Sequence, residues 1–104
     1  MIVTITPAGA AALLDQERFG TLKVVLAPAD SLERALGLLR ATAAEEPDHV
    51  WIPAHVLQGL AQRTPAWDES FAAMLVKVTP YGWYDRATQR VKAHVERAAL
   101  EHAA

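Results

Sequence analysis

The chain has 104 residues, 52% of them hydrophobic and 21% charged, with ten Lys and Arg against twelve Asp and Glu for a formal charge of −2. This suits a single globular domain over 1–104 and lies far from the compositional signature of disorder. The dispersed basic residues argue against nucleic acid or a membrane surface as a partner, no apolar run reaches the roughly 18–20 residues of a spanning helix, and the start lacks the pattern of a signal peptide, so a cytoplasmic location is expected.

Met1–Thr6 is rich in β-branched residues and stops at Pro7, which predicts a first strand. The Ala-rich stretch Ala8–Leu14 predicts one or two helical turns. Thr21–Ala27 reads as a strand with enough consecutive apolar residues for burial on both faces. Asp30 with Glu33 three residues on resembles a capping box, and Leu32, Ala35, Leu36, Leu39 and Ala43 recur at helical spacing, with Glu45, Glu46 and Pro47 marking the helix end. His49–Ile52 is a short apolar strand candidate, and Pro53 suits the first turn of a helix carrying Val56, Leu57, Leu60 and Ala61 to a stop near Thr64-Pro65.

Phe71–Thr79 sets Met74, Val76 and Val78 on one period-2 face, which predicts a strand broken by Pro80-Tyr81-Gly82. Arg86–Ala104 is rich in helix formers behind Asp85 as N-cap, and a helix is the first expectation. The competing reading is a hairpin pairing Met74–Trp83 with Gln89–Arg97, because Val91, Ala93 and Val95 alternate with Lys92, His94 and Glu96. Strands interleaved with helices predict an α+β or α/β domain: one small sheet of about four strands with helices packed on it, a ferredoxin-like arrangement among the candidates.

There is no cysteine, so disulfides and thiolate chemistry are ruled out, and no phosphate loop, dinucleotide fingerprint, nucleophile elbow or zinc-protease motif occurs. Three stretches stand out. His49-Val-Trp-Ile-Pro-Ala-His55 sets two imidazoles around a strand-to-helix junction, although two histidines lack the third ligand of an ordinary metal site, and no metal or cofactor is expected. Trp67-Asp68-Glu69 pairs an aromatic with carboxylates, with Asp68 equally suited to a cap. Tyr81-Gly82-Trp83-Tyr84-Asp85 is the densest aromatic cluster, suited to a pocket or an interface. His94 and His102, eight positions apart, are too distant to share a metal on one helix, whereas a hairpin would bring His94 beside Tyr81–Trp83.

Two functions follow from different classes. In the first, Trp51, Trp67, Tyr81, Trp83 and Tyr84 line a pocket for a small organic molecule, with His55, Asp68 and Asp85 orienting it or moving a proton. In the second, the same aromatics form a surface for self-association or a partner protein without chemistry. A homodimer is compatible with both.

Overall fold

The computed structural model describes residues 1–98. The helix expected to run to Ala104, and His102 with it, therefore extends outside the described residues beyond 98. Strand β1 (Ile2–Ile5) turns through Thr6–Ala10 into the antiparallel β2 (Ala11–Leu14), and β3 (Lys23–Leu26) lies parallel to β1 on its other side. Helix α1 (Leu32–Leu39) leads to the two-residue β4 (Thr42–Ala43), then β5 (His49–Pro53), α2 (Ala54–Leu60) and α3 (Pro65–Val78). A 3₁₀ turn at Thr79–Tyr81 precedes the short β6 (Tyr84–Asp85) and the long β7 (Arg90–Arg97). The seven strands form one sheet in the order β2-β1-β3-β7-β5-β4, with β6 also on β7. The fold is thus α+β, but the sheet is larger than the four strands expected. Its order of elements also differs from the βαββαβ of a ferredoxin-like fold.

The period-2 alternation of the strands sends one face into the core. Val3, Val24, Leu26, Val50, Ile52, Val91 and Ala93 share that face by register and are buried. They form one cluster with Ala35 and Leu39 of α1, Ala54 and Leu57 of α2, and Trp67, Phe71 and Met74 of α3. The opposite face presents Lys23, His49, Trp51, Lys92, His94 and Glu96.

The expected strands at the N-terminus, at Thr21–Ala27 and at His49–Ile52 are present, as are the helices after Ser31 and after Pro53. Four expectations are corrected. Ala8–Leu14 is not helical: Gly9 at φ 84 closes a turn, and Ala11–Leu14 pairs with β1 because Leu13 packs against the core that way. Helix α1 stops at Leu39, not Ala43, because Arg40 turns left-handed at φ 53 and Thr42–Ala43 is drawn into pairing with β5. Its cap is the Ser31 hydroxyl, which accepts from the Arg34 N–H.

Phe71–Thr79 is not a strand. Trp67, Phe71 and Met74 recur at i, i+4 and i+7 on the buried side of α3, while Val76 is 74% exposed. The Thr64 hydroxyl caps this helix by accepting from the Trp67 N–H, with Pro65 in its first turn. Finally, the helix expected after Asp85 gives way to strand β7 where the competing hairpin places it, but its hairpin partner is the two-residue β6 and not Met74–Trp83, most of which is taken up by α3 and the 3₁₀ turn. Helix propensity is worth tenths of a kcal/mol per residue, roughly 0.7 at most. The pairing of β7 with three strands, which buries Val91 and Ala93, outweighs it.

Candidate functional site

Strand β7 has two edges that are used differently. One is paired along Arg90–His94 by β5. The other is shared: β6 takes Arg90–Val91, and β3 takes His94–Arg97. Between those partners the sheet parts, and the Trp83 carbonyl accepts from the Lys92 N–H at the near side of the gap.

A cavity of about 550 Å³ opens at this gap. Phe19 and Leu22, ahead of β3, form one wall; Met74 and Val78 of α3 with Tyr81 and Trp83 form the other; Val91 lies beneath. Lys23, Lys92 and His94 stand on the rim. The Phe19 wall is tied down from the start of the chain. Met1 is buried in the core, and its ammonium donates to the carbonyls of Arg18 and Thr21, each at 2.7 Å. Burial lowers the pKa of this amine despite the pull of the Asp15 carboxylate.

The rim is cationic but internally compensated. The Lys92 ammonium is 2.6 Å from the Glu46 carboxylate and lies 5.2 and 5.5 Å from the ring centroids of Trp51 and Trp83. Its hydrogen bond holds Glu46 below the usual glutamate range. Lys23 pairs with Glu96 at 3.0 Å. Beside them His49 contacts both Trp83, with ring centroids 5.7 Å apart, and His94, at 5.2 Å.

The residues singled out by sequence divide among separate places. Tyr81 and Trp83 line the cavity, and Trp51 reaches its rim through Lys92. Tyr84 is half-buried against the core. Trp67 belongs to the core under α3, stacked on Phe71 at 4.9 Å and donating its indole N–H to the Gln16 carbonyl. Asp68 is in the first turn of α3, 2.7 Å from Arg63. The Asp85 carboxylate accepts from the Ala87 N–H inside the β6–β7 loop. His55 is exposed at the start of α2. None of these three polar groups lines the cavity, whereas His94 does, as the hairpin alternative requires.

Phe19, Leu22, Met74, Val78, Lys23 and Lys92 were not anticipated. Only the alternation Lys92-His94-Glu96 hinted at them, and it needs the register with β3 and β5 to acquire neighbours.

A second recess of about 320 Å³ lies at the ends of β1 and β3 beside α1, where α/β folds often bind ligands. Its carboxylate, Asp30, is occupied in accepting from the Ala27 N–H, and no histidine, tyrosine or tryptophan lines it. The larger cavity therefore has the richer chemistry. Among the described residues no group of three or more His, Cys, Asp or Glu side chains is placed to hold a metal, and no helix is long and apolar enough to cross a membrane. No protein-family model, curated protein or solved structure matches the chain.

Proposed function

We propose that the protein binds a small, largely apolar organic molecule in the cavity between β3 and β6, with Lys92 and His94 orienting a polar or anionic group at its mouth. The observation that carries this reading is the gap in the sheet itself. A continuous ladder would bury these side chains against one another, whereas here an apolar recess of about 550 Å³ is left with an aromatic wall and a few convergent polar groups. Ligand sites of small proteins have that size and make-up.

Binding is favoured over catalysis. General acid–base work draws on groups whose ionisation is tuned by burial, and among the described residues no charged side chain is buried. An anionic ligand has to compete with Glu46 for Lys92, so affinity rests mainly on the apolar wall.

The test is thermal stability and tryptophan fluorescence of the chain against a library of small aromatic and aliphatic carboxylates and their neutral analogues. A ligand at a hundred times its Kd stabilises the folded state by about 2.7 kcal/mol. Gly20 lines the cavity, and a Cβ built there meets nothing within 4 Å. Gly20→Leu is therefore expected to fold normally and, by taking up part of the recess, to weaken the stabilisation. If ligands stabilise the wild type and Gly20→Leu equally, the cavity is not their site.

One observation favours the second reading, an interaction surface. Tyr81 is 76% exposed and Trp83 38% exposed at the cavity mouth. Silence across the library together with a concentration-dependent mass that Tyr81→Ser abolishes would select self-association in its place.

A further inference from the structure

The register of β5 and β7 creates a pair that the sequence separates by 45 positions. His49 and His94 are directly opposite one another, on the face away from the helices. We propose that these two imidazoles form a binding site for a divalent transition-metal ion, of the Zn²⁺ or Cu²⁺ type. His94 also stands on the rim of the cavity, but the metal site does not require a ligand to be bound there.

Three features carry it. The first is spacing. Metal–nitrogen bonds of about 2.0–2.1 Å at a tetrahedral angle put two imidazole centroids roughly 5 Å apart, and those of His49 and His94 are 5.2 Å apart. The second is the tautomer. The Nδ1 of His49 is 2.7 Å from the Pro47 carbonyl, which only accepts, so the neutral ring carries its proton on Nδ1 and its lone pair on Nε2. A histidine whose other nitrogen donates to a carbonyl is the usual orienting arrangement around metal ligands.

The third is local charge. The cations on this face, Lys23 and Lys92, are each paired with a carboxylate, Glu96 and Glu46, so a dication meets no net positive field from them. His94 is exposed, which leaves the remaining coordination positions to water or to a ligand brought by the metal. Imidazole suits Zn²⁺ and Cu²⁺, with Cu²⁺ held more tightly.

The test is titration of the whole chain with Cu²⁺ in chelator-free buffer, followed by tryptophan quenching, with Zn²⁺ binding measured by calorimetry. Trp83 is 5.7 Å from His49, within reach of quenching by bound Cu²⁺. Saturable, chelator-reversible quenching at one ion per chain is expected. Affinity should fall about tenfold or more in His49→Ala and in His94→Gln, and hold in His55→Ala. Gly20→Leu should retain it, which separates the fate of this site from that of the cavity. Equal affinity in the wild type and both histidine variants, or no saturable binding by the wild type, would overturn the proposal.

Discussion

Lys92 shows how one side chain ties together groups far apart in sequence. Its stem alternates onto the open face of β7, its ammonium reaches Glu46 ahead of β5, and two indoles flank it. Because the folded state depresses the pKa of Glu46, whatever this pair contributes to stability is present above the ordinary glutamate value of 4.5 and is lost as pH falls through the lower, folded-state value. In Lys92→Met the Glu46 carboxyl is expected to titrate at higher pH, as followed by carbon-13 NMR of its side chain, and the acid slope of stability due to it should vanish. An unchanged Glu46 titration would mean that the pair does not form in solution. At this scale the sequence was informative about residue type but not about neighbours. Tyr81 and Trp83 stood out as chemistry-bearing and do line the cavity, whereas Trp67, equally conspicuous, is claimed by Phe71 and the core. Nothing local to Trp67-Asp68-Glu69 distinguishes an aromatic facing a ligand from one facing a helix-packed sheet.

Among the elements, those marked by local punctuation were legible. Pro7, Pro28 and Pro53 bracket β1, β3 and α2 in the sequence itself, and Asp30 marks the start of α1 one residue ahead of its cap, Ser31. Those decided by packing were not. The segment Phe71–Val78 accommodates both periods at Met74 and Val78, which fit either a strand face or a helix face, and Phe71 with the upstream Trp67 breaks the tie. The two readings differ at Val76, which a strand would align with Met74 and Val78 but α3 leaves 74% exposed. Val76→Glu is therefore expected to change stability by less than about 0.5 kcal/mol. Phe71→Ala, which empties a fully buried site beneath the helix, should cost about 3–5 kcal/mol. Denaturant melts of both variants check this, and a large loss in Val76→Glu would contradict the helix. Strand β7 fails to announce itself for a related reason. Its residues are good helix formers, and what overrides them is a pairing with β3 some 70 positions earlier in the chain, which no window on the sequence can see.

At the scale of the whole molecule, the site is a product of topology. Because β3 and β6 share one edge of β7 without reaching each other, the cavity's two walls come from segments far apart in the chain, joined by β7 and by the contact of Phe19 with Trp67 of α3, whose rings lie 5.8 Å apart. The wall carrying Phe19 is anchored by the Met1 ammonium through the carbonyls of Arg18 and Thr21. That anchorage has a consequence in reaction kinetics. An α-amine ordinarily ionises near 8.0 and lysines near 10.4, so near neutral pH an acylating reagent should select the α-amine on basicity alone. While both carbonyls hold it, that selectivity is suppressed, and acylation waits for the 15–22 segment to lift. The rate at which Met1 is modified, set against that of an exposed lysine such as Lys77, thus becomes a clock for the opening of the cavity wall, and a ligand seated in the cavity should slow it.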